Sequence, residues 1–88
     1  MQREIQKAQK ELQKAQKLFQ QLEEKIASLN KEKLTLESDL ALPEIYLEKQ
    51  KFVEAENQYR QKLDELKKAN EEYEMLFEKI MEMEERVS

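Results

Sequence analysis

Five cations, Arg3, Lys7, Lys10, Lys14 and Lys17, follow one another at steps of four and three along the first part of this sequence. On a helix that spacing stacks them on one face, with no acid between them. A row of guanidinium and ammonium groups can hold a run of phosphates by releasing condensed counterions, a contact that reads no bases. The glutamines between them add hydrogen-bonding capacity. The same row is also what the solvated outer face of a helical bundle carries, and the sequence pI of about 5.0 lies far from that of a dedicated basic binder. Both readings stand at this point.

Other chemistry has less to work with. The run "NEEYEMLFEKIMEMEE", residues 70–85, is rich in carboxylates, but a carboxylate-bridged di-iron site needs Glu-x-x-His pairs and the chain has no histidine. It has no cysteine for a thiolate or a usual zinc site, and no glycine for a phosphate-cradling loop. The sequence is therefore read as no enzyme by itself, with no catalytic residue, no metal ligands and no cofactor of its own. Charge is unevenly spread: residues 1–34 carry eight Lys or Arg against five Glu, and residues 35–88 carry eight against fifteen Asp or Glu. The basic row thus belongs to a locally basic arm of an acidic chain.

The elements that carry these residues can be read from period. The 88 residues are 41% charged and 39% hydrophobic, dominated by Glu, Lys, Leu, Gln and Ala, the mixture of long helices and coiled coils. Ile5, Ala8, Leu12, Ala15, Phe19, Leu22, Ile26, Leu29, Lys33, Leu36 and Leu40 recur at steps of three and four, one seam interrupted only by Lys33. Beyond the single proline, Ile45, Phe52, Tyr59, Leu66, Tyr73, Ile80 and Val87 are spaced by seven, with Ala55, Ala69, Leu76 and Met83 between them. Lys62 falls at one of these intermediate positions, where Leu63 is read as displacing it.

Pro43 divides the two seams. Proline biases its predecessor away from helical geometry and is accepted at the first helical position, so Leu42 is the expected break and Pro43 the expected start of a new helix. The fold expected is all-α: a two-helix antiparallel coiled-coil hairpin with its turn at residues 41–44. Residues 1–88 form one domain, helix 1 about 2–40 and helix 2 about 43–86, cut from a longer chain. Folding the seams about the proline sets Ile5 against Ile80, Phe19 against Leu66, Ile26 against Tyr59 and Leu22 against Leu63. It sets Lys33 against Phe52, where a cation over a ring or a snorkelling lysine would fit. Several apolar residues lie off the seam. Leu18, Met75, Phe77 and Met81 toward the open end are candidates for protein docking, including a homodimer packed as a four-helix bundle. No apolar run approaches the length that crosses a bilayer and the N-terminus lacks a signal-peptide core, so a soluble cytoplasmic protein without membrane contact is expected.

Residues 36–85, "LESDLALPEIYLEKQKFVEAENQYRQKLDELKKANEEYEMLFEKIMEMEE", resemble the C-terminal coiled-coil domain of the ABC-F proteins, soluble ATP-binding-cassette ATPases with Uup-like members. Leu42, Pro43 and Tyr46 match that domain's turn, with Leu42 standing where the family usually has an aspartate. Tyr73 or Phe77 falls where it commonly has a tryptophan. The resemblance implies that ATP binds elsewhere in a parent chain, upstream of this hairpin. It also implies nucleic acid as the hairpin's partner, notably DNA, with RNA, its own ATPase domains or the ribosome as further partners. The basic row Arg3, Lys7, Lys10, Lys14 and Lys17 is then the surface that binds.

Overall fold

A computed structural model describes residues 2–87 of the chain. It is all-helical: α1 (Gln2–Leu40), α2 (Pro43–Tyr46) and α3 (Lys49–Val87), with no strand among the described residues. Both long helices run for 39 residues because nothing in them breaks a helix. They contain no glycine or proline, and Glu, Lys, Gln, Leu and Ala are all strong helix formers. At 1.5 Å per residue each is about 58 Å long, and one uninterrupted helix of the whole chain would span about 130 Å. The body measures 67 × 14 × 14 Å, so the two long helices lie side by side, an extended shape consistent with a helical hairpin.

The connection is built without any residue at positive φ among those described, as suits a chain with no glycine. α1 closes by tightening: the Ala41 N–H donates to the Ser38 carbonyl at 3.2 Å and the Leu42 N–H to the Asp39 carbonyl at 3.0 Å, both bonds one residue shorter than the α-helical ones. Leu42 is extended (φ −77°, ψ 133°) and Pro43 opens α2. That helix lasts one turn. At its end the Leu47 N–H donates to the Pro43 carbonyl and the Glu48 N–H to that of Ile45. The Glu48 carbonyl then accepts the first bond of α3, from the Phe52 N–H at 2.9 Å, and its carboxylate lies 3.3 Å from the Lys51 ammonium.

The second long helix therefore starts at Lys49 and not at Pro43, and the partners differ from those expected. Phe19 stacks on Tyr73 with ring centroids 4.4 Å apart, one heptad beyond the expected Leu66. Glu37 accepts a hydrogen bond from the Tyr59 hydroxyl at 2.7 Å, Glu23 one from Tyr73 at 3.5 Å, and Glu32 pairs with Lys62 at 2.8 Å. Later positions of α1 thus meet earlier positions of α3. The cause is the extra helical turn: a connection spanning residues 41–48 moves every partner along by about seven positions. Because both seams repeat every seven, the shift leaves the seams themselves in register. Ile5, expected against Ile80, is half exposed, whereas Ile80 is buried.

The core is a thin line. Leu22, Leu29, Leu66 and Ala69 form a buried cluster with Ile26 and Tyr73 packed on it, and Ala15 and Ile80 are buried farther along. The whole surface is 7469 Å², against about 5,500 Å² for a compact globule of this mass. Within the line, Lys62 keeps its seam position and Leu63 does not displace it. Leu63 is 41% exposed, while the Lys62 side chain is largely covered and its ammonium reaches Glu32 on α1 at 2.8 Å and Glu65 on α3 at 3.6 Å. Helical phase decides this: steps from Tyr59 to Lys62 to Leu66 continue the seam, and the long apolar stem tolerates the site while its charge escapes sideways. The expected Lys33–Phe52 contact is not formed among the described residues. The register instead sets half-buried Lys33 in the same layer as Lys62.

Candidate nucleic-acid interface

α1 alone positions the basic row. Its seam residues Ala8, Leu12, Ala15 and Phe19 turn toward α3, which leaves Arg3, Lys7, Lys10, Lys14 and Lys17 on the far side, all five exposed. From Arg3 to Lys17 the row extends about 21 Å, one cation per 5 Å or so. None of the five makes an ion pair among the described residues. By contrast Lys51, Arg60, Lys62 and Lys68 of α3 are each held by a carboxylate. The row is open to an external anion; those α3 cations are already neutralised, at least in part.

Three cations that the sequence reading did not assign lie beside it. Lys25, Lys79 and Arg86 edge a groove between α1 and α3 that Lys14 also borders, with Glu11 and Glu72 as its acids, while Lys17 lies with Lys14, Leu18 and Gln21 in a recess on α1 alone. Lys79 and Arg86 come from α3, and only the observed register brings them to the level of Lys14. Their helical phase, seven residues apart on the same flank as Glu72, was the available signal.

The four candidate docking residues do not form one patch. Phe77 and Met81 border a shallow recess with Phe19 and Ile80 on one side of the molecule, and Phe77 lies 6.2 Å from Phe19, centroid to centroid. Leu18 stands over the groove on the opposite side, with Leu22 and Leu76 beneath it. Met75, the most exposed of the four at 71%, sits on the outer flank of α3.

Two side chains have shifted proton affinities. Tyr59 is raised above its ordinary value, first because its hydroxyl donates to Glu37, whose charge opposes a phenolate beside it. Lys62 is raised chiefly by its hydrogen bond to Glu32, which outweighs the desolvation that would lower it. Lys62 and Glu32 line a shallow recess with Thr35, Leu36 and Gln58. Among the described residues no group of three or more His, Cys, Asp or Glu is placed to hold a metal ion, and no helix is long and apolar enough to cross a membrane. No protein-family model, curated protein or solved structure matches this chain.

Proposed function

We propose that this chain is an antiparallel two-helix coiled-coil hairpin that binds nucleic acid, DNA in the first instance, weakly and without sequence specificity. In this reading it is the non-catalytic C-terminal accessory domain of a cytoplasmic ABC-F type ATPase, whose ATP sites lie elsewhere in a longer chain. The observation that carries the binding reading is the row of five exposed cations on α1 with no ion pair among the described residues. The attribution to ABC-F rests on the resemblance of residues 36–85, above all Pro43 and Tyr46 at the turn. Binding is weak because a chain of net charge −4 on balance repels a polyanion.

Fluorescence-anisotropy titration with duplex DNA and with RNA, comparing the wild type with a variant carrying Lys7→Glu, Lys10→Glu, Lys14→Glu and Lys17→Glu, tests it. Saturable binding by the wild type and none by the variant is the expected result. Equal affinity of the two proteins overturns it. The alternative is a structural spacer or protein-interaction module, favoured by the half-exposed Phe77 and Met81. It is the reading left if the wild type binds neither nucleic acid.

A further inference from the structure

On the side of the molecule opposite the groove, one stripe of α3 complements itself when turned end for end. Leu63, Lys67, Asn70, Glu74 and Phe77 follow at steps of four, three, four and three, all exposed, and Met81 continues them into the recess that Phe77 and Gln16 border. Asn70 is the centre. Two turns to either side of it stand the apolar Leu63 and Phe77, and one turn to either side stand charges of opposite sign, Lys67 and Glu74. Lys67, Asn70 and Glu74 make no side-chain hydrogen bond or ion pair among the described residues. On α1 the same side carries Gln16, Gln20, Ala27 and Asn30, with Glu23 between them accepting from the Tyr73 hydroxyl.

We propose that this face is the contact between two copies of the chain, related by a two-fold axis that crosses α3 at Asn70, at right angles to the helices. α3 then runs antiparallel to the α3 of the second copy. Each Leu63 meets the partner subunit's Phe77, each Lys67 meets the partner subunit's Glu74, and the two Asn70 amides meet on the axis, each offering a donor and an acceptor. A polar pair at the centre of such a contact fixes its register. An axis parallel to the helices would instead set Phe77 against the partner subunit's Gln16, apolar against polar. Asn70 lies close to the middle of α3, so the copies overlap along almost their whole length. The 67 × 14 Å face has a footprint of about 900 Å², against roughly 800 Å² per partner in a standard stable interface. The ion pair of Arg60 with Glu56 offsets the approach of the partner subunit's Glu84. On α1 the axis passes beside Glu23, so the two Glu23 carboxylates face each other at a cost to the contact. The proposal rests on the hairpin arrangement and not on nucleic-acid binding. The basic row of α1 lies outside this face and stays open in the dimer.

Sedimentation equilibrium from micromolar to millimolar protein, without nucleic acid, tests it together with cross-linking of a single introduced cysteine. The wild type should dimerise, and Leu63→Gln with Phe77→Gln should abolish the dimer while the circular-dichroism helix signal persists. Lys67→Glu should weaken it about tenfold, and Lys67→Glu with Glu74→Lys should recover most of that loss, since each pair again joins opposite charges. Glu23→Gln should tighten it. Because the chain has no cysteine, Asn70→Cys should form a disulfide between copies under mild oxidation, whereas Met75→Cys on the outer flank should not. A monomer at millimolar protein in low salt overturns the proposal. So does a dimer that survives the double glutamine variant, a Lys67→Glu defect that Glu74→Lys does not repair, a Glu23→Gln variant that dimerises less well, or an Asn70→Cys variant that cross-links no faster than Met75→Cys.

Discussion

Lys62 shows how a single residue can cost stability and still define the structure. It sits in the seam, its ammonium held between Glu32 and Glu65, and the register puts Lys33 in the same layer. A polar layer in an apolar seam lowers stability but penalises every other register. Here a slip of one heptad would set each lysine against an apolar residue and spoil two layers in place of one. Lys62→Leu should raise the thermal midpoint by a few degrees, because an apolar side chain would continue the seam between Tyr59 and Leu66 and Glu32 is free to face solvent. A lowered midpoint would show that the ion pairs outweigh the burial. The pH dependence follows from the same contacts. Both Tyr59, ordinarily near 10.0, and Lys62, ordinarily near 10.5, hold their protons more tightly in the folded chain. Their contributions are therefore fully present below those values and are lost as pH rises through the raised, folded ones. Thermal melts should give a level midpoint from pH 7 to about 9 and a fall above pH 10. Tyr59→Phe combined with Lys62→Met should flatten that fall.

Among the elements, the connection is where the sequence was least legible. The break at Leu42 could be read because proline constrains its neighbour, but the second break, at Leu47 and Glu48, contains no glycine, proline or asparagine to announce it. Without it the seam positions other than Lys62 can still be read but their partners come out wrong, since a heptad repeat looks the same after a seven-residue shift. The missing information lay in the two lysines: pairing Lys33 with Lys62 selects the observed register, but only if Lys62 is assigned to the seam in preference to Leu63. The basic row was legible for the converse reason, that it depends on α1 alone, whereas the groove edged by Lys79 and Arg86 depends on the register. Leu42 precedes Pro43 with extended backbone and no side-chain cap. Leu42→Asp should therefore stabilise the fold by about 1 kcal/mol, seen in urea denaturation, by giving the first turn of α2 a side-chain acceptor within reach of the Glu44 N–H. Leu66→Ala should do the opposite. Its side chain belongs to the buried cluster, and truncation should remove about 2–4 kcal/mol, enough to leave a large unfolded fraction in the circular-dichroism signal at 25 °C.

At the scale of the whole molecule, two helices that share one narrow seam bury little and expose much, as the 7469 Å² surface records. Such a body holds its shape best when something else covers it. Its exposed parts differ in kind: a basic row along α1 with no ion pair among the described residues, an acidic outer flank along α3, and an amphipathic groove between them. The first of these supports the functional reading, and the salt dependence of binding tests it most directly. The equilibrium constant for duplex DNA, measured by anisotropy over a range of monovalent salt, should fall on a log–log plot with a slope of up to about −4.5 if all five cations contact phosphates. The slope should become shallower by about one for each lysine of the row replaced by glutamine. Binding with a flat salt dependence, or a slope that these replacements leave unchanged, would contradict a phosphate-tracking role for Arg3, Lys7, Lys10, Lys14 and Lys17.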